Sequence, residues 1–518
     1  MKSCFSYPVV SGIIACIAMT LFLSCHPENR TPGKADTPGP ADDAITEAYL
    51  QRYHKVLEHY ASPEDSLKLQ AALYLIRGLP YQFYYESRVL EQYDSICETH
   101  SQPSVTWLKN TLDSLQSLYG LDLTRYPDST WVTDEYLIEN IEYSFKAKEL
   151  PWCQNLDFRQ FCEDVLPYKS GNEKPEWWRK NLWEKFQWVL HRLPPGAGAL
   201  EACKLINDSV EKSFTVNLEY NYPVDAGYFR ALKVSKGTCY GGSLMVLYPL
   251  RALGIPSTFD YVPRWANRNG DHNWNALYDR ETLITFNGPD RNPGVHKIEF
   301  IGVGRMFFRR PKVFRKTYAP QEESLARLTG LEASTPDLFE TSRMKDVTAE
   351  YIPVSDIRIR APRLKDPFVY LSTFDNANWK PVGWGKRTGK TVIFHNMARN
   401  VAYLPVRYQN GEYRVLGYPI LLTSEGKVKI PEPSRNRKQT VRILAKYPED
   451  ASNRIFPGQL YELFYWDNQW ISLGEQEAQD TLLEYHNAPV NALFWIRNLD
   501  EGVQERIFTY ENGKQIWY

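Results

Sequence analysis

Neither sign of charge is in excess: 61 Lys and Arg stand against 62 Asp and Glu, for a formal net charge of −1. Without a basic surplus the chain has nothing to neutralise a run of phosphates, so nucleic acid is not an expected partner. Cysteine is scarce, 8 in 518 residues. Cys4, Cys16 and Cys25 fall at the N-terminal end, which leaves Cys97, Cys153, Cys162, Cys203 and Cys239. An odd set leaves at least one thiol unpaired even in an oxidising compartment. Long apolar runs are missing beyond the first 25 residues, so no later segment is expected to span a membrane. What the chain has in plenty is aromatic side chains, 14% of its residues with 15 Trp and 34 Tyr, in an otherwise ordinary globular composition. Its length is too great for one core and should divide at roughly 100–200 residues per domain.

Lys2 precedes an apolar run from Val9 to Leu23 that ends in Leu21-Phe22-Leu23-Ser24-Cys25. The run is short and N-terminal, as in a secretory signal. Its end resembles a bacterial lipobox. That resemblance implies a signal peptide over residues 1–24, lipid attachment at Cys25, and a cell-envelope protein facing the periplasm or the cell surface. The membrane would then be touched through the lipid anchor alone. An uncleaved anchor helix or an ordinary signal peptide is the alternative. The stretch 25–45, rich in Pro, Gly, Ala and Asp, cannot build a core and reads as a tether.

Over residues 46–199 apolar positions recur at helical spacing, as at Leu69, Leu73 and Ile76, with prolines dividing the region into several helices. Residues 200–310 mix a helix with strands, and 311–345 reads as a linker. Beyond it, short apolar runs separated by turn pairs such as Asn410-Gly411 predict antiparallel sheet. A repeat at an offset of 91 residues sets Trp379, Gly383, Phe394, His395, Asn396 and Asn400 against Trp470, Gly474, Tyr485, His486, Asn487 and Asn491. Two related β domains are expected, 346–434 and 435–518, their repeated aromatics filling two sandwich cores. A carbohydrate-stacking surface is the sharper alternative for those aromatics. His395 and His486 read as turn or strand residues rather than metal ligands.

The chemistry-bearing segment is Lys236-Gly237-Thr238-Cys239-Tyr240-Gly241-Gly242, followed by an apolar stretch that Gly254 and Pro256 stop. A helix from Cys239 to Leu253 is predicted, with Pro249 as an interior irregularity. A cysteine in a first helical turn feels unpaired backbone N–H groups that favour thiolate over thiol. Gly241 and Gly242 keep side chains away from the sulfur. A small buried core cysteine is the plain alternative. Pro256 to Val262 reads as a strand, Pro263 to Asp271 as a loop and His272 to Tyr278 as a strand, with Asp279-Arg280-Glu281 turning into Thr282 to Phe286. Counting outward from a centre near Asp279 or Arg280 sets His272 opposite Asn287 or its neighbour. Asn287 is therefore placed to orient the imidazole. Asp290 serves if the loop folds back, whereas Asp279 lies roughly 23 Å along the strand.

Gly237-Thr238-Cys239 opening a helix, Leu250-Arg251-Ala252-Leu253-Gly254-Ile255-Pro256 closing it, and His272-Asn273-Trp274 on the next strand together resemble the transglutaminase-like superfamily of papain-type thiol enzymes. The resemblance covers about 100 of 518 residues. It implies an α+β transglutaminase-like (papain-like) core at 200–310, which with the helical N-terminal region and the two tandem antiparallel β-sandwich-like domains read above makes a multidomain fold. It makes Cys239 the nucleophile and His272 the general base and acid. Where the family has Asp, this chain offers Asn287 by position and Asp290 by chemistry. The backbone N–H of Cys239 is the one oxyanion donor named, since the family's second donor, upstream of the nucleophile, has no match here. The implied activity is acyl transfer on peptide or related amide bonds through an acyl-enzyme, with water (hydrolysis) or an amine (cross-linking) as acceptor, hydrolysis being favoured for a tethered envelope protein, and with no metal or organic cofactor. The competing reading is a catalytically silent scaffold lipoprotein whose β domains engage glycan or protein.

Overall fold

The computed structural model of the protein describes residues 42–100, 103–220, 222–279, 282–294, 307–330, 335–447, 453–501 and 505–518. Cys25 and the signal stretch lie outside the described residues, as do Arg280 and Glu281 of the hairpin turn. The chain is multidomain: an N-terminal helical region is followed by a mixed α/β region and then by β-rich regions that include a near-barrel sheet. No helix among the described residues is long and apolar enough to cross a membrane.

The first helix, Asp42–Arg52, already begins inside the stretch expected as tether. Later helices start where short polar side chains satisfy their open N–H groups: Ser87 accepts from Leu90 N, Ser104 from Trp107 N and Thr133 from Tyr136 N. Their apolar faces close one core around Val56, Leu75, Ile76, Leu137 and Phe161. Strands Phe83–Glu86 and Thr124–Pro127 pair within this region, a ribbon that helical periodicity did not indicate.

In the middle of the chain the helix Cys239–Ala252 is almost wholly buried, with helices Arg179–Phe186 and Ala199–Glu211 and a sheet packed around it. Pro249 lies inside it without ending it. The stop comes at Gly254, which adopts φ +65° and whose Cβ, were there one, would sit 2.6 Å from the Ala147 carbonyl oxygen. The sheet is antiparallel, in the order Thr282–Phe286, His272–Asp279, Ser257–Val262, Phe314–Lys316, Met344–Asp346. Its last two strands come from the segment 311–345 expected as a linker, which is therefore part of the central sheet. Tyr318 of the same segment plugs the helical region, donating to Leu75 O at 2.9 Å and filling the space beside Gly78.

The C-terminal repeat is visible in the backbone. Asn396 and Asn400, and their counterparts Asn487 and Asn491, all take left-handed φ values between 53° and 61°. Asn tolerates that region better than other non-glycine residues, so the repeated asparagines mark repeated turns and bulges. Ser355 and Ile357 flank a bulge against the strand carrying Phe394, as Gln439 and Val441 do against the strand carrying Tyr485. Phe394 and Tyr485 enter separate cores, with Val369, Leu371 and Val401 in one and Leu463, Phe494 and Phe508 in the other. Trp379 and Trp470 do not. They join Phe374, Trp466 and Trp495 in one aromatic cluster shared by the two β domains, where the expectation was two independent cores. Phe374 lies 5.6 Å from Trp379, 5.8 Å from Trp470 and 5.3 Å from Trp495 between ring centroids. His395 and His486 are exposed and bond neighbouring side chains, Asp356 and Thr440, at 3.0 Å each.

Because Trp495 is 5% exposed at the centre of this shared cluster, Trp495→Ala should cost about 3–5 kcal/mol. Urea titration followed by fluorescence should show the loss in the transition that unfolds the β pair.

Candidate active site

The segment before Cys239 is fixed by a short parallel ladder, Thr215 with Lys236 and Val216 with Gly237, and by Asn217 N donating to Gly237 O at 2.7 Å. Gly237 is needed there, since a Cβ would lie 2.9 Å from the Phe214 ring. Thr238 is the N-cap and Gly242 N closes the first helical turn on Thr238 O at 2.9 Å. Cys239 is thus the first helical residue, where a backbone N–H points out of the helix end. It is 6% exposed.

His272 begins its strand, paired with Val262 at the end of the sheet. Its Nε2 lies 3.1 Å from Asn287 Oδ1. An amide oxygen only accepts, so Nε2 carries the proton and Nδ1 is left to take one from the Cys239 thiol, with which the imidazole is hydrogen-bonded. Burial by itself pulls the imidazole pKa down. The hydrogen bond to Cys239 and its charge, then the Asn287 hydrogen bond and the charge of Asp271, outweigh burial, and the net direction is upward from the ordinary value. The rings of Trp265 and Trp274 each stack on the imidazole at 6.0 Å between centroids.

The cysteine and histidine of the predicted set are together, but Asn287 arrives by a different route from the one expected. The hairpin pairs Asp279 with Thr282 and ends at Asn275 with Phe286, a register that would set His272 against Pro289 if continued. The difference comes from the pairing of Asp279 with Thr282, which moves every partner on the return strand further along than the expected count. Asn287 reaches the imidazole because the chain leaves the sheet after Phe286 and folds over the first turn of the central helix. Gly242 permits that crossing: a Cβ there would lie 2.7 Å from Gly288 O and 3.1 Å from Pro289 Cδ. Gly288 is equally constrained, its missing Cβ being 2.7 Å from Val246. Gly242 therefore serves the loop rather than clearing space around sulfur. Asn207 secures the far side by donating to Pro289 O at 2.9 Å. Asp290 lies within electrostatic range of His272 and Cys239 but makes no hydrogen bond to the imidazole, and desolvation and Glu211 hold its carboxyl above the usual range.

Several contributors were not picked out from the sequence. Asn275 donates to Ser243 O at 3.1 Å and Thr258 O at 3.2 Å, fastening the helix to the sheet. Asn273 Nδ2 lies 3.7 Å from Cys239 Sγ. Alternation along the strand sets Asn273 and Asn275 on the polar face, opposite Trp274 and Ala276, so no sequence signal marked them, whereas the structure buries both against the central helix. Loop residues 263–271, which carry Trp265, are held by both β domains. Asp375 accepts from Gly270 N at 2.7 Å and pairs with Arg264 at 3.2 Å. Arg506, fully buried, donates to Asn269 Oδ1 at 2.8 Å, Ala266 O at 2.5 Å and Phe374 O at 2.6 Å. Below His272, Trp274 Nε1 donates to Tyr351, whose hydroxyl bonds the buried Asp260, itself forked by Arg315 at 2.8 Å on each oxygen.

The remaining described thiols are poor nucleophiles by comparison. All are buried and none is in a disulfide. Burial pushes Cys97 and Cys153 up to about 11 and Cys162 to about 12, and raises Cys203 as well.

A scan against protein-family models finds no match for the sequence, and a search of curated proteins finds none either.

Gly242→Ala tests the packing on which the Asn287 contact depends. The added methyl meets backbone on the loop side, so the substitution should cost about 1–3 kcal/mol. It should also shift the His272 ring resonances in NMR spectra, whereas Gly241→Ala, whose methyl would meet the Phe214 ring at an ordinary 3.5 Å, should leave them in place.

Proposed function

We propose that the chain is a lipid-anchored cell-envelope thiol enzyme with a transglutaminase-like, papain-type core, acting on peptide or related amide bonds through an acyl-enzyme. In this reading the C-terminal units are sandwich-like β domains that flank the core. The observation that supports it most is the relay in which Cys239 opens a helix, His272 bonds its sulfur, and Asn287 holds the far ring nitrogen at 3.1 Å. Three residues from three separate segments converge in the order that nucleophilic catalysis by a thiol requires.

The chemistry follows from the proton positions. Nδ1 of His272 takes the thiol proton, giving a thiolate beside an imidazolium. The thiolate attacks the carbonyl carbon, and the carbonyl electron pair moves to oxygen, toward the backbone N–H of Cys239. Collapse of the tetrahedral adduct breaks the carbon–nitrogen bond, and the imidazolium gives its proton to the departing amine. Water, deprotonated by the neutral imidazole, then attacks the thioester and releases the acid and the thiolate. An amine in place of water would give a cross-link, and hydrolysis is favoured for a tethered protein bathed in water. Asn287 holds the ring but adds no charge, so the imidazolium is stabilised less than a carboxylate would stabilise it. The Cys239 thiolate itself supplies the larger part of what raises His272.

The test is the pH dependence of iodoacetamide labelling at Cys239 in the full chain in mild detergent, with sites assigned by mass spectrometry. Labelling should persist well below the ordinary thiol range of about 8.5 in the parent and not in His272→Ala. Because His272 is raised, the imidazolium persists above its ordinary range, and turnover of an amide substrate should fall only as pH rises through that raised value. Asn287→Ala should slow turnover by about ten- to hundredfold, the equivalent of about 1.5–3 kcal/mol for a hydrogen bond to a charged group. Slow labelling with an ordinary titration, unchanged by His272→Ala, would sink the dyad and favour a silent scaffold.

A further inference from the structure

Two asparagines stand two residues apart on the strand face that packs against the central helix, and their amides are used differently. Asn275 spends its N–H groups on two backbone carbonyls, Ser243 O and Thr258 O, and its role is to join helix to sheet. Asn273 bonds no backbone group. It is 3% exposed, its Nδ2 lies 3.7 Å from Cys239 Sγ, and its Oδ1, like that of Asn275, has no hydrogen-bond partner among the described residues, so the two differ in where the amide N–H groups go.

A buried amide left short of partners costs about 1–3 kcal/mol, and an apolar side chain on this face would avoid that cost. Packing therefore gives no reason for Asn at 273. The sulfur does. A neutral thiol is a weak acceptor, whereas a thiolate turns the same contact into a charge-assisted hydrogen bond. An amide also cannot lose its donor proton at any pH where the site works, so the interaction does not depend on a second titration.

We propose that Asn273 is a catalytic residue of this site, whose amide donates to the Cys239 sulfur, holds the nucleophile in its anionic form and fixes the direction in which it attacks. The inference rests on the thiolate–imidazolium reading of Cys239 and His272. It gives the nucleophile two donors of different kinds: His272, which exchanges a proton with it, and Asn273, which only stabilises the charge. Asn273 adjoins His272 in sequence, so the same strand end that positions the base also delivers the second donor.

The experiment compares pH profiles of Cys239 alkylation by iodoacetamide in the full chain and in Asn273→Leu, Asn273→Thr and His272→Ala, with thermal melting measured on each. Leu keeps the size and removes the donor, so the labelling midpoint should rise by about one pH unit. Thr suits a strand and keeps a hydroxyl donor, so its midpoint should fall between parent and Leu. A purely structural role would lower the melting temperature of Asn273→Leu and leave its midpoint within a few tenths of a unit of the parent, which would overturn the proposal. Should Asn273→Leu fail to fold, a midpoint for Asn273→Thr equal to that of the parent would overturn it too. If His272→Ala moves the midpoint and the Asn273 variants do not, this inference fails alone. If His272→Ala does not move it, the dyad reading fails first.

Discussion

The contact between the first turn of the central helix and the strand that begins at His272 governs this site. A thiol and an imidazole exchange a proton only within hydrogen-bond reach, and here they ride on elements separated by the strand Ser257–Val262 and the loop after it. Asn275 fastens the two by donating to Ser243 O on the helix and Thr258 O on the sheet. Gly242 and Gly288 let the following loop cross the helix at a spacing that any Cβ would forbid. Widening this contact by one methyl group would part Asn287 from His272 before it exposed any of the core, because the interior is packed without slack.

Around that contact the structure recruits segments from nearly the whole chain. The loop that stacks Trp265 on His272 is held from one β domain by Asp375 and from the other by the buried guanidinium of Arg506. Burial lowers Arg506 to about 10, which still leaves it charged at neutral pH, and its three oxygen acceptors offset the loss of water. The β pair therefore braces a loop beside the site, and its two halves share an aromatic cluster. The fork of Arg315 on Asp260 does similar work below, carried to His272 through Tyr351 and Trp274.

How much of this was legible in the sequence depended on the range of the interaction concerned. The helix from Cys239 and its end near Gly254 follow from local rules, and the structure has both within a residue of expectation. The strand at His272 and the return strand to Phe286 were equally local. Register was not: the hairpin turn sits further along than counting suggested, so Asn287 was matched to His272 by the wrong pairing. It reaches the ring through the course of a loop, which periodicity does not report. The segment 311–345 looked like a linker because strands of three residues, such as Phe314–Lys316, are too short for alternation to register.

The sequence by itself determined the elements whose cause is local: where a cysteine opens a helix, where glycine stops it, where asparagine marks a repeated left-handed turn. It also held the spacing of the β repeat, since equivalent backbone positions need equivalent residues. Only the tertiary structure decided what each element meets. It sent Trp379 and Trp470 to a common interface, made Arg506 a support of a loop more than two hundred residues earlier, and turned Asn273 toward a sulfur. The physical reason is that side-chain type sets what a residue needs, a donor, an acceptor or a dry surface, while the partner that meets the need is chosen by packing between segments that no local pattern connects.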